Sequence, residues 1–221
     1  MGHFNRIAVL TSGGLDSCVL LADMAREAEV WPVYVRAGLV WEDEERRAID
    51  RFIAALDSPN VRPLVELSAP MRPTYGDHWS TTGVGVPKPG DADDAVFMPG
   101  RNIVLIGLAA VWCSTRDVNA VAIGSLGGNP FPDATPEFFD AFGAALSRGL
   151  AHEIEILAPY RGRTKVDLIR ENNHLPIELS LTCMTPVDGL HCGQCQKCEE
   201  RIDAFTAAGV EDRTEYAARL T

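Results

Sequence analysis

Short apolar runs alternate with amphipathic stretches along most of the chain. Arg6 to Thr11 (RIAVLT) reads as a buried strand, and the apolar stretch from Leu15 to about Ala28 as a helix. Val30 to Arg36 (VWPVYVR) predicts a second strand. Glu42 to Leu56 has a helical period and opens on the acids Glu42, Asp43, Glu44 and Glu45, which a helix N-terminus favours. Val61 to Leu67 predicts a third strand. From Met71 to Ala95 there is no apolar period, only Gly, Pro, Thr and Asp in excess over a length unusual for a connection. Residues 71–96 read either as a mobile lid over a site or as an insertion without function. Regularity returns with a helix from about Asn102 to Thr115, a strand from Ala120 to Gly124, and a Gly/Pro-rich loop up to Pro136. A helix starts near Pro136, where proline suits the first turn. Glu153 to Leu157 predicts a fifth strand and Lys165 to Glu171 a further helix.

This alternation implies right-handed βαβ units and an α/β fold, a five-stranded and mostly parallel sheet flanked by helices. After Pro176 the pattern stops. The expected division is an α/β domain over 1–175 and a small cysteine-bearing lobe over 176–221, ending in a short helix.

Composition narrows the functions. A chain of 221 residues with 46% hydrophobic positions has a real core and suits one compact domain with an appendage. Lys and Arg number 20 against 31 Asp and Glu, for a net charge of −11. Such a body repels phosphate backbones, which disfavours bulk nucleic-acid binding and leaves room for local sites for one small anion. No apolar run approaches the ~18 residues of a membrane span, and the first apolar stretch is too short for a secretory signal. A cytoplasmic protein with reduced thiols is expected.

Six cysteines therefore need a reason other than disulfides. Cys18 and Cys113 sit in apolar stretches and read as small buried hydrophobes. Cys183, Cys192, Cys195 and Cys198 form Cys-x8-Cys-x2-Cys-x2-Cys, with Gly193 supplying turn freedom. Four thiolates at this spacing suit a tetrahedral structural Zn²⁺ that stabilises a lobe and performs no chemistry. His191 is read as a bystander.

The second chemical signal is the string Ser12, Gly13, Gly14, Leu15, Asp16, Ser17 between the first strand and the first helix. Glycines let backbone approach a ligand, the helix N-terminus offers amides and partial positive charge, and the serines add hydroxyl donors. Asp16 is out of place beside phosphates unless a metal lies between, which Mg²⁺ bound to a polyphosphate resolves.

This string resembles the pyrophosphate loop of the N-type ATP pyrophosphatases, whose members adenylate a carboxylate or carbonyl oxygen and release pyrophosphate. Together with the four-cysteine pattern, the chain resembles the 7-cyano-7-deazaguanine synthase family, which makes the nitrile base preQ0 on the route to queuosine. Phe97 through Pro99, Gly100, Arg101 and Asn102 resemble the family's PGRN segment, and Phe131, Pro132 and Asp133 its YPD segment. Ala158, Pro159 and Tyr160 with Thr164 and Lys165 resemble its TPL…K stretch. Leu181, Thr182 and Cys183, then Cys198, Arg201, Phe205 and Asp212, match its C-terminal pattern.

The resemblance implies a sheet of the HUP, adenine nucleotide alpha hydrolase-like type. It also implies an ATP-dependent ligase joining a 7-carboxy-7-deazaguanine carboxylate to free ammonia, and a homodimer. Asp16, Arg101 and Lys165 are the expected catalytic residues, the two cations neutralising developing phosphate charge; solvated surface charge is the plainer alternative for both cations. Trp41, Glu44 and Asp133 are the expected substrate contacts. Trp41 either stacks on a planar base or fills a core gap, and Asp133 either accepts from a guanine-like N–H edge or caps a loop. The family's Gln and His after the second strand appear here as Leu39 and Trp41, and Ala134 and Thr135 replace its Cys-Arg. The loop from Gly124 to Phe131 is shorter than the family's. A sister enzyme acting on another carboxylate is thus the second reading, and a zinc-lobed nucleic-acid-binding module the third.

Overall fold

The computed structural model describes residues 4–218. Five strands, β1 (Arg6–Leu10), β2 (Glu29–Arg36), β3 (Val65–Ser68), β4 (Ala120–Ala122) and β5 (Glu155–Leu157), form one sheet in the order β3-β2-β1-β4-β5. Every pairing is parallel, with Leu10 opposite Val33 and Val9 opposite Ala122. The helices are α1 (Leu15–Met24), α2 (Glu42–Leu56), α3 (Arg72–Tyr75), α4 (Trp79–Thr82), α5 (Arg101–Ser114), α6 (Pro136–Leu150), α7 (Lys165–Glu171) and α8 (Gln196–Ala208).

The alternation along β1 divides the core. Ile7 and Val9 pack with α1, α7 and α8 on one face, and Ala8 and Leu10 with α5 and α6 on the other. With both faces covered, the strands read as continuous apolar runs. The third strand starts later than the expected Val61, because Pro63 has no amide for the ladder; Val61 makes only an isolated bridge to Val30. The Met71–Ala95 stretch contains the one-turn helices α3 and α4, with His78 capping α4 by accepting from the Ser80 amide. α8 is 13 residues long, more than the short helix expected, and buries Ala204, Phe205 and Ala208 against the α1 side of the sheet. Among the described residues, no helix is long and apolar enough to cross a membrane.

Candidate active site

β1 ends at Leu10, and the chain turns into α1 through Ser12, Gly13 and Gly14. Gly13 has φ +77°, and a Cβ there would lie 2.8 Å from the Glu45 carbonyl oxygen, so the turn admits only glycine. The turn is cross-tied by serines. Ser17 Oγ accepts from the Ser12 amide at 3.2 Å and donates to the Gly14 carbonyl at 2.9 Å. Gly14 caps α1 with no side-chain bond, so the open first-turn amides of a 10-residue helix face outward with the positive end of its dipole. β1 lies between β2 and β4, the point where strand order reverses, and a crevice opens there at the carboxyl ends of the strands. Gly124, after β4, permits its close side: a Cβ would lie 3.1 Å from the Asp16 carbonyl.

Two cavities meet in this crevice. The smaller, about 200 Å³, is lined by Ser12, Ser17, Leu39, Glu45, Arg101 and Ser125. The larger, about 620 Å³, is lined by Phe131, Lys165, Gln196, Lys197 and Glu200. Asp16, Gly124 and Asn129 border both.

Charge is concentrated at the junction. Lys165 Nζ pairs with Glu200 Oε1 and lies 3.8 Å from Asp16 Oδ2, while Lys197 Nζ reaches Glu200 Oε2 at 2.6 Å. A capping box sets Lys165 at the start of α7: Thr164 Oγ1 accepts from the Asp167 amide at 3.1 Å, and Asp167 Oδ2 accepts from the Thr164 amide at 2.9 Å. Burial works against the Lys165 charge, yet Asp16 and Glu200 outweigh it and raise its pKa. Burial raises the Asp16 carboxyl, with Lys165 opposing. Asp16 Oδ1 is buried and has no hydrogen-bond partner among the described residues. An unpaired carboxylate oxygen beside a helix N-terminus with open amides fits a hard divalent cation such as Mg²⁺.

In the smaller cavity, Glu45 is buried and accepts from Tyr34 Oη at 2.8 Å and Trp41 Nε1 at 2.9 Å. Burial raises its pKa, and Arg101 opposes that rise.

The structure therefore brings Ser12, Gly14, Leu15, Asp16 and Ser17 to the cavity walls with Arg101 and Lys165, and keeps Gly13 behind them. It does not bring Trp41, Glu44 or Asp133 there. Trp41 is 4% exposed and stacks on Trp79 with ring centroids 5.7 Å apart. Glu44 is half-buried outside both cavities and pairs with Arg47 on its own helix. Asp133 is buried and accepts from the Asn102 amide at 3.0 Å, holding the start of α5 beside Arg101. Tyr34, Glu45, Ser125, Gln196, Lys197 and Glu200 line the cavities without having been singled out in the sequence. The one local signal was the acidic first turn of α2, which contains Glu45 beside Glu44.

Cys183, Cys192, Cys195 and Cys198 place their sulfurs within 4.8 Å of one another. Three pairs lie at 3.6, 3.8 and 4.0 Å, against the ~3.8 Å edge of a tetrahedron with Zn–S bonds of ~2.3 Å. Amides of Thr185 and Cys192 donate to Cys183 Sγ at 3.3 and 3.2 Å, as they would to a thiolate. The donor set and its spacing fit a metal ion, zinc above others. His191 stands outside the set, its Nε2 accepting from the Thr182 amide at 3.1 Å. Just before the cluster, the Leu181 amide donates to the Gly13 carbonyl at 2.7 Å, tying it to the phosphate turn. Cys18 and Cys113 are fully buried, and burial pushes the Cys113 thiol up to about 12.

Residues 6–209 match the family described as queuosine biosynthesis protein QueC. A 7-cyano-7-deazaguanine synthase of Methanothermobacter thermautotrophicus is 30% identical over 96% of this chain and 99% of its own. One from Methanopyrus kandleri is 32% identical over 94% and 97%. The 7-cyano-7-deazaguanine synthase 1 of Sphingopyxis alaskensis is 31% identical over 96% and 98%.

Proposed function

Because the chain belongs to the queuosine biosynthesis protein QueC family, we propose that it is an ATP-dependent carbon–nitrogen ligase converting 7-carboxy-7-deazaguanine to 7-cyano-7-deazaguanine. The observation that carries this reading is the meeting of the two cavities at Asp16, within reach of Lys165. The nucleotide occupies the smaller cavity and the base the larger, so that the α-phosphorus and the carboxylate come together at the junction.

Ser12, Ser17 and the first amides of α1 hold the pyrophosphate end. A carboxylate oxygen of the base attacks the α-phosphorus, the bond to the β-phosphate breaks, and pyrophosphate leaves. Lys165, kept cationic by its carboxylate neighbours, and Arg101 neutralise the charge that develops there. Asp16 Oδ1 holds the Mg²⁺ that accompanies ATP, which when bound screens the polyphosphate charge. Ammonia then attacks the acyl carbon, AMP leaves, and a proton is lost to give the amide. The amide oxygen then attacks the α-phosphorus of a second ATP, pyrophosphate leaves, and loss of AMP with the two N–H protons gives the nitrile. The four cysteines hold a structural Zn²⁺ whose fold steadies the phosphate turn through Leu181. The ATP-binding domain over 1–175 and the zinc lobe over 176–221 build the site together, since α8 packs on the α1 side of the sheet and adds Glu200 to the larger cavity, in a cytoplasmic homodimer.

A sister enzyme acting on another carboxylate is the second reading, favoured by Leu39 on the wall of the smaller cavity where the family carries Gln. The test is mass spectrometry after incubation with ATP, Mg²⁺, ammonium and 7-carboxy-7-deazaguanine. The nitrile base with AMP and pyrophosphate is expected. AMP formed only with a different carboxylate selects the sister enzyme, and no AMP with any carboxylate overturns the ligase reading.

A further inference from the structure

α8 walls one side of the larger cavity, and Glu200 stands there beside Lys165 and Lys197. The first turn of α8 is anchored. The Cys195 carbonyl takes the amides of Cys198 and Glu199, and Gln196 donates from its backbone to Pro87 and from Nε2 to the carbonyls of Asp91 and Ala92. One turn on, each oxygen of the Glu200 carboxylate has its own ammonium. Oε2 accepts from Lys197 Nζ at 2.6 Å, three residues back on the same helix, and Oε1 accepts from Lys165 Nζ at the start of α7. Among the described residues, Glu200 is the one hydrogen-bond acceptor of Lys165 Nζ. Asp16 Oδ2, at 3.8 Å, lies outside hydrogen-bond reach.

This arrangement decides where a largely buried cation sits. The Lys165 side chain is 12% exposed, so water does not freely replace a lost partner, and an unpaired buried charge is costly. Without Glu200, a shift of about 1 Å on a flexible four-carbon stem would close the gap to Asp16 to the ~2.8 Å of a charge-assisted bond. The pair so formed would draw the ammonium toward α1 and occupy the carboxylate that the reaction needs open for Mg²⁺. We infer that Glu200 is a positioning residue: it holds the Lys165 ammonium at the junction of the two cavities and out of contact with Asp16. The inference rests on the ligase reading and adds to it a residue, supplied by the cysteine-bearing helix, that acts through Lys165.

The experiment compares full-length, zinc-loaded proteins: unmodified, Glu200→Gln, Lys165→Met and the double variant. AMP formation from ATP, Mg²⁺, ammonium and 7-carboxy-7-deazaguanine is followed by mass spectrometry at one neutral pH. Glu200→Gln should lower kcat about tenfold or more, the scale of a misplacement by one ångström. Its KM for ATP should stay within about twofold of the unmodified value, as for an interaction made only in the transition state, and half-maximal rate should need more Mg²⁺. In the Lys165→Met background there is no ammonium to hold, so adding Glu200→Gln should cost less than about twofold. Glu200→Asp, which keeps the charge one methylene shorter, should recover part of the rate. If Glu200 serves only the fold of α8, its loss costs the same factor in both backgrounds, which overturns the assignment; so does an unchanged kcat in Glu200→Gln. An unchanged Mg²⁺ requirement in Glu200→Gln overturns it even where the Lys165→Met proteins are too slow to compare. No AMP from the unmodified protein with any carboxylate overturns the ligase reading itself, and this assignment with it.

Discussion

Gly13→Ala tests whether the phosphate turn is held by contact with α2. Two costs add at this position. The backbone sits at φ +77°, where a Cβ costs ~1–2 kcal/mol. The new Cβ would also lie 2.8 Å from the Glu45 carbonyl oxygen and 3.2 Å from Ile49 Cγ1. The first neighbour is helix backbone, so α2 must retreat by about half an ångström, an overpacking cost of ~1–3 kcal/mol. Gly128 is the control: its φ is also +77°, but nothing lies within 4 Å of the point a Cβ would occupy. Gly128→Ala should therefore lose only the ~1–2 kcal/mol of backbone strain, and Gly13→Ala ~2–5 kcal/mol. For a chain of this size that is a fall in Tm of about 4–20 °C for Gly13→Ala, against about 2–8 °C for the control. Urea unfolding followed by circular dichroism, with unchanged m-values, measures both. Retreat of α2 also moves Glu45 and its Trp41 partner, so ATP turnover should fall about tenfold or more in Gly13→Ala. Equal loss of stability in the two variants would refute the claimed contact.

Further outcomes follow from the same geometry. Lys165→Met should lower turnover by about a hundredfold or more in a protein that remains folded; an unchanged rate removes Lys165 from the reaction. Cys195→Ser should lose bound zinc by elemental analysis and unfold earlier, since metal binding and folding of such segments are coupled; a full metal complement would exclude the four-sulfur site. The Glu45 carboxyl is raised above its ordinary 4.5 by burial, with Arg101 opposing. Its contribution to stability is complete below that ordinary value and is lost as pH rises through the folded pKa. Glu45→Gln should remove that loss, so its Tm relative to the unmodified protein should climb as pH rises above the ordinary 4.5; a constant difference would show that Glu45 does not titrate in this way.

Much of the fold was legible because its signals are local. The acid-rich first turn and helical period of α2 marked Glu42–Leu56, and α7 falls over the expected Lys165–Glu171. The phosphate turn and the four cysteines were legible because each gathers its groups within one short stretch, so spacing alone constrains the geometry. Glu44 and Glu45 show where such reading ends. The two are chemically near-identical neighbours in an acidic run, and a step of one residue turns a helix by about 100°. Only the packing of α2 against α1 and the turn after β1 decided that Glu45 faces the cavity while Glu44 lies outside it, half-buried.

The chain's own pattern thus determined the strand–helix alternation, the serine–glycine turn and the cluster of four sulfurs, all products of interactions between residues close in sequence. The tertiary structure alone decided which distant groups share a cavity: Lys165 between Asp16 and Glu200, Asp133 held to Asn102, and Gln196 bound to the carbonyls of Asp91 and Ala92. Those partners lie far apart along the chain, and what joins them is the burial of polar groups that must find hydrogen bonds wherever the fold brings one within reach.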